Sequence, residues 1–504
     1  MWEIICQRGA MPAESPCPAD RPFRVSAAKF AQTRQVVNFM NFARAGDGFF
    51  RFWKRNLRKL PRGAWNMPLG MSQHPQLISG FVALFLPFAL LAGCATTRPE
   101  PARDLDALAR DYIQLQLEIG ERDEGYIDAY YGPPERREAA HANPRTLEQL
   151  QTATLNLRQA LAGRNDERAR FLTAQLTAAE TRLRMLRGER LSFAEEARGL
   201  YGVDLEGIIQ PLESYDPILA RIERLVPGTR PLAERVDAFT DRFIIPRDRL
   251  EGVMRAAIAE CRRRTLAHIP LPEGEAFTLE FVTDKSWSGY NWYQGNYRSL
   301  IQVNTDQPSR MGRVVGLGCH EGYPGHHVLN MLLEQNLARG RGWTEFMLYP
   351  LYSPQSFIAE GSANYGVELA FPGNERLEFE RRVLYPLAGL SSDGAETYLE
   401  LQNAIEELSG ARFTIARDLL EGRITRARAV ELTQLYGLQS RSRAEQSIAF
   451  TEHYRAYVIN YGLGQAMVKA HIERAGPDPA ARWAAMRRLL SEPSLPSDLA
   501  PPPR

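Results

Sequence analysis

Histidine and cysteine are scarce in this 504-residue sequence, with eight and five respectively, and its 62 basic and 60 acidic residues leave a formal charge of only +2. A chain so nearly neutral has little electrostatic grip on a phosphate backbone, so no nucleic-acid partner is expected. Apolar and charged fractions of 44% and 24% are those of a globular protein, which excludes a largely disordered chain. Its length suits roughly two to three domains. Internal repeats are missing, as are a nucleotide-binding glycine loop or a Ser-His-Asp pattern as specific as the histidine motif that begins at His320.

Long apolar runs are equally few. The stretch "LISGFVALFLPFALLAGCATTRPEP" is too short, and too abruptly ended by small residues, for a transmembrane helix, and reads as a secretory signal. Its end, Leu91-Ala92-Gly93-Cys94, resembles the lipobox of bacterial lipoproteins, in which the cysteine, here Cys94, is lipidated and becomes the new N-terminus. A plain signal peptide or membrane anchor is the alternative. Ala95, where an aspartate would retain the protein at the inner membrane, implies an outer-membrane lipoprotein facing the periplasm. Residues 1–70 lack steady periodicity and are expected to be a mis-called or disordered leader, with Met67 or Met71 as the true start. Residues 71–93 are then the signal peptide and 94–103 a linker. Cys261 and Cys319 are expected to stay reduced, because Cys319 sits beside a candidate metal ligand.

The rest reads as mainly α. Segments such as "DLDALARDYIQLQLEIG", "TLEQLQTATLNLRQALAG" and "DERARFLTAQLTAAETRLRMLRG" repeat apolar residues at helical spacing and close on glycine, giving a helical scaffold over 104–270. Alternation in "FTLEFV" and "SLIQVN" predicts a small β element next, within a catalytic region spanning 271–480. Tyr290, Asn291, Trp292 and Tyr293 between those strands could line a groove for an extended peptide, or be core of a structural hairpin. Residues 481–504 are expected to end the last helix and finish as a loose tail, "LPSDLAPPPR".

Three of the eight histidines fall together in "GLGCHEGYPGHHVLN". His320 and Glu321 open the H-E-x-x-H pattern of zinc peptidases, but Pro324 stands where the second histidine belongs. On a straight helix an offset of four residues turns ~40° and lets two histidines converge. His326 would point ~120° away from His320, and His327 would sit ~10.5 Å further up the axis, too far for zinc–nitrogen bonds of ~2.0–2.1 Å. The helix must therefore break, and Gly322, Pro324 and Gly325 are residues that break helices. A bulge of two residues would put His326 in the effective fourth position; a bulge of three would put His327 there. Downstream, "SFIAEGSANYGVELAFP" predicts a helix from near Ser356 carrying Glu360 as third ligand and Asn364 one turn later to support it. Glu368 is a further supporting carboxylate or a plain surface charge. The candidate metal set is His320, His326 and Glu360, with Zn2+ as the cofactor.

At these residues the chain resembles the bacterial domain-of-unknown-function family eight-eight-five, within the zincin-like metallopeptidase group. The family pattern H-E-x-x-P-G-H is matched from His320 to His326, and E-G-x-A-x-Y by Glu360, Gly361, Ala363 and Tyr365. A third block, P-G-Q-A, is approximated at Gly462-Leu463-Gly464-Gln465-Ala466. Ser362 stands where the family often has tryptophan, and Leu463 where it has proline. The resemblance spans about residues 104–480 and implies a zincin-like helical fold. It also implies that Glu321 takes the proton of a zinc-bound water. Such hydrolysis needs a donor to the developing oxyanion, and His453, Tyr457 and Tyr461, recurring every fourth residue on one predicted helical face, offer Tyr457 and Tyr461. A packing stripe is the alternative. The expected function is that of a lipid-anchored zinc peptidase acting on short peptides. The alternatives are a non-catalytic envelope lipoprotein that binds peptides or partners, and a metal-dependent amidohydrolase on cell-wall fragments.

Overall fold

A computed structural model describes residues 104–500 apart from Ser286 and Ser288. The signal segment, Cys94, the leader, the linker and the final four residues lie outside the described residues.

Helices dominate, as the periodicity predicts. Helix α1 (Leu105–Gly120) leads into the short strand β1 (Ile127–Tyr130). The antiparallel pair α2 (Leu147–Leu161) and α3 (Glu167–Leu186) follows. Thr146 and Gln149 form a reciprocal capping box at the start of α2, and the Asp166 carboxylate accepts from the Ala169 N–H at the start of α3. Gly163 and Gly188, just beyond the two helices, adopt φ of +79° and +90°, a region glycine enters at little cost.

Helix α4 (Arg247–Leu266) precedes a three-stranded sheet of β2 (Ala276–Val282), β3 (Gly289–Gly295) and β4 (Arg298–Asn304). Its order is β2-β4-β3, with β2 parallel and β3 antiparallel to the central β4. Next come α5 (Met311–Glu321), α6 (His326–Leu333), β5 (Leu348–Pro350), which pairs antiparallel with β1, and α7 (Pro354–Ala370). Near the C-terminus lie α8 (Arg441–Tyr454), α9 (Ile459–Glu473) and α10 (Pro479–Ser491). Helix α7 is buried around its whole circumference except at Glu368, which makes it the central helix of the core.

Two expectations are corrected by the fold. Cys261 of α4 and Cys319 of α5 are joined as a disulfide, with Cα atoms 5.4 Å apart. Successive helical residues diverge by about 100°, so Cys319 faces α4 while His320 faces away from it, and the bridge does not crowd the histidine. The tail is not loose at its start either: Leu495, Pro496 and Leu499 are buried, with a 3-10 turn over Pro496–Leu499. Their apolar side chains cover part of the core, which composition dominated by proline conceals. Among the described residues no helix is long and apolar enough to cross a membrane.

Candidate metal centre

Helix α5 stops at Glu321 and α6 restarts at His326. The break is therefore complete, rather than a bulge within one continuing helix. Gly322 N–H still donates to Gly318, but the peptide between Tyr323 and Pro324 is cis and Gly325 N–H turns back to the carbonyl of Cys319. A Cβ on Gly325 would lie 1.8 Å from the His320 carbonyl oxygen, so the chain can double back this tightly only at glycine. The Pro324 ring fills space that a side chain on Gly366 of α7 would occupy, 2.9 Å from its ideal Cβ.

This reversal brings the His326 ring to 4.5 Å from that of His320, nearly perpendicular to it. The two Nε2 atoms lie 3.4 and 3.9 Å from one atom, Glu360 Oε2. That oxygen is buried and has no hydrogen-bond partner, and the three donor atoms of His320, His326 and Glu360 all lie within 4.8 Å of one another. The other oxygen, Oε1, accepts from the Tyr457 hydroxyl at 3.1 Å.

Asn364, one turn beyond Glu360, fixes the tautomer of His320. Its Nδ2 donates to the Tyr461 carbonyl at 3.1 Å, so its Oδ1 is the atom 2.7 Å from His320 Nδ1. An amide oxygen only accepts, hence the imidazole proton sits on Nδ1 and the Nε2 lone pair faces Glu360.

His327 is taken up elsewhere. It is fully buried, with Nδ1 2.7 Å from Ser299 Oγ and Nε2 3.2 Å from Glu275 Oε2. Of the two histidines, His326 is the one whose Nε2 faces Glu360, while His327 faces Glu275.

Burial sets the electrostatics. It raises Glu321 to about 7, with His320 opposing and the Glu360 and Asp128 carboxylates adding to it. It lowers His326 to about 4, His320 adding to the effect, so this imidazole is neutral at neutral pH. Burial also works upward on Glu360, but the closeness of His320, then of His326 and the Tyr457 hydroxyl, holds it below the usual carboxylate range. For His320 burial works downward and is outweighed by Glu360 and Glu321, leaving it raised.

The tyrosines do not share one continuous helical face. Helix α8 ends at Tyr454, Arg455 takes φ of 53°, and a 3-10 turn over Arg455–Val458 intervenes before α9. His453 is exposed on the far side of that break. Tyr457 nevertheless reaches Glu360, and Tyr461 packs edge-on against its ring at 5.7 Å.

Strand periodicity divides the expected groove residues. Asn291 and Tyr293 point into the protein, Asn291 donating to the Glu321 carbonyl at 2.6 Å and Tyr293 to Glu334. Tyr290 and Trp292 share the other face with rings 4.3 Å apart, and Trp292 is exposed. Gly289 runs so close that a Cβ there would meet Leu317 Cδ1 at 2.4 Å and Glu321 Oε1 at 3.1 Å. Glu368 supports no ligand: it pairs with Gln465 at 2.7 Å and with Lys469, tying α7 to α9.

Sequence reasoning missed Asp128. From β1 it accepts the Tyr290 hydroxyl, and burial, opposed by that bond and reinforced by Glu360, raises it to about 6. A lone acid in the short apolar strand "IDAY" was its only signal. The weak third block has a clear physical role. A Cβ on Gly361 would fall 2.6 Å from the backbone carbonyl of Gly464, so α7 and α9 cross in direct backbone contact there.

No protein-family model matches the chain, and no curated protein does. Among solved structures it is similar to a candidate lipoprotein from Colwellia psychrerythraea, at 17% identity and a TM-score of 0.44, covering 69% of this chain and 67% of that one. It is also similar to a candidate lipoprotein of unknown function from Shewanella oneidensis, at 14% identity and a TM-score of 0.40, covering 78% and 82%. A third, BsuCP, has 11% identity and a TM-score of 0.37 over 77% and 89%. Likenesses this weak do not establish a shared fold.

Proposed function

We propose that this chain is a zinc-dependent hydrolase of the zincin type, cutting peptide bonds in short peptides. One observation carries the reading: a buried carboxylate oxygen, Glu360 Oε2, without a hydrogen bond, faces two imidazole Nε2 atoms at 3.4 and 3.9 Å. A buried polar atom left without a partner costs about 1–3 kcal/mol, more when charged, unless something occupies the space it faces. Two imidazole nitrogens and a carboxylate form the donor set that zinc takes in catalytic sites. Held there, the ion would lower the pKa of water and polarise the substrate carbonyl.

The chain's own residues supply the rest. Asn364 keeps the His320 proton on Nδ1, and Tyr457 holds Glu360 by its far oxygen. The Glu321 carboxylate takes a proton from the attacking water and delivers it to the leaving amine nitrogen. Tyr461, beside Tyr457, is the candidate donor to the oxyanion that develops on the carbonyl oxygen, with Tyr457 available if it releases Glu360. The exposed ring of Trp292, next to Tyr290, offers an apolar shelf for a peptide side chain.

We place the protein in the cell envelope, as a lipoprotein anchored through Cys94 in the outer membrane and facing the periplasm. The lipobox-like Leu91-Ala92-Gly93-Cys94 supports this, and the Cys261–Cys319 disulfide suits an oxidising compartment.

The test measures metal and turnover together. Purified protein should carry about one zinc per chain and lose it to chelator. Glu321→Gln should keep the zinc and lose at least ~10²-fold of its turnover on a mixed short-peptide substrate set. Glu360→Gln should lose the zinc itself. Folded protein that binds no zinc would leave a non-catalytic envelope lipoprotein, and zinc with turnover only on cell-wall fragments would identify an amidohydrolase.

A further inference from the structure

Outside the three donor residues, a further group of linked side chains near the centre gathers on a residue from the loop before β2. Glu275 Oε2 accepts from the Tyr323 hydroxyl at 2.6 Å and lies 3.2 Å from His327 Nε2. Its Oε1 is held by Arg262 of α4, at 2.8 Å from Nε and 2.6 Å from Nη2. Tyr323 and His327 bracket the segment Pro324-Gly325-His326. One carboxylate oxygen therefore grips the helix break on both sides of the residue that must reach Glu360.

We infer that Glu275 is a positioning residue for metal binding: through Tyr323 and His327 it fixes the path of the break, and so the reach of His326 toward His320 and Glu360. This rests on the proposed zinc site. The anchoring runs further into the fold. Ser299 of β4 lies 2.7 Å from His327 Nδ1; with the Nε2 proton given to Glu275, the Ser299 hydroxyl is the donor to Nδ1. Neighbouring residues of α4 hold both ends, Cys261 through its bridge to Cys319 just before the break and Arg262 through Glu275. The Glu275 side chain is 4% exposed, so water cannot readily replace the bonds it accepts. The other bonds within the break are from the backbone, Gly322 N–H to Gly318 and Gly325 N–H to Cys319, since Pro324 lacks an N–H and the two glycines carry no side chain.

The test is zinc affinity, measured on metal-stripped full-length protein by competition with a chromogenic chelator, with thermal melting recorded in parallel. Glu275→Ala should bind zinc ~10–100-fold more weakly than wild type, the loss typical when the support of a ligand is removed. Glu275→Gln, which still offers an acceptor oxygen, should recover most of that loss. Should Glu275→Ala fail to fold, Tyr323→Phe decides, with an expected weakening of about fivefold, the effect of one lost hydrogen bond. Lower melting temperature with unchanged zinc affinity would overturn the inference, since a residue important only to stability would behave that way. Wild-type protein without zinc affinity would overturn the metal reading, and this inference with it.

Discussion

Asn364 lies 2.7 Å from His320 while its other amide atom is committed to the backbone of Tyr461, so one side chain links the first candidate ligand to the helix that follows the tyrosine turn. The proton of His320 is consequently expected on Nδ1 before any metal arrives. Nitrogen-15 NMR of metal-free protein at neutral pH should find the neutral fraction of His320 in that tautomer. Asn364→Ala should remove the preference and weaken zinc binding by ~10–100-fold. An Nε2–H tautomer in the unsubstituted protein would contradict the hydrogen-bond assignment.

The paired histidines should separate cleanly. His326→Ala should fail to reach one zinc per chain at concentrations that saturate wild type. His327→Ala should still load one zinc, more weakly, and melt at lower temperature, because it strands Ser299 and Glu275 without their buried partner at a cost of about 1–3 kcal/mol. Metal analysis and melting curves on both variants check this, and the reverse pattern would make His327 the ligand.

Glu275 also predicts a pH dependence. Burial works to raise its pKa, but the bonds from His327, Tyr323 and Arg262 win and hold it down at about 2, against an ordinary value of 4.5. A carboxylate with a depressed folded-state pKa contributes stability that is full above its unfolded value and lost as pH falls through the folded one. The melting-temperature gap between wild type and Glu275→Gln should accordingly hold steady down to about pH 5 and narrow below it. A gap that widened on acidification would mean that burial, rather than those three bonds, governs this carboxyl.

Much of this architecture is legible from residues alone. Helical spacing and terminal glycines mark α1, α2 and α3, and period-two alternation marks β2 and β4. The H-E-x-x-P-G-H and E-G-x-A-x-Y patterns name His320, Glu321, His326 and Glu360 as candidates, whereas helix geometry alone leaves His326 and His327 open. What stays hidden depends on distant chain segments meeting. The Cys261–Cys319 bridge spans 58 residues, Asp128 reaches Tyr290 from 162 residues away, and Glu275 meets His327 across 52. The turn before α9 is hidden for another reason: a four-residue spacing fits a helix, and nothing in Arg455 announces a positive φ.

The order in which the chain is made decides when the centre becomes complete. The histidines and Glu360 are all present once residue 360 has emerged, yet Tyr457, the carbonyl of Tyr461 that orients Asn364, and Gly464 that lets α7 seat all belong to the last stretch. A nascent or truncated chain ending before Tyr457 would hold all three candidate ligands and still lack what aims them. On the proposed reading, competence would arrive only with the C-terminal helices, and a product cut short would not be a partly working hydrolase.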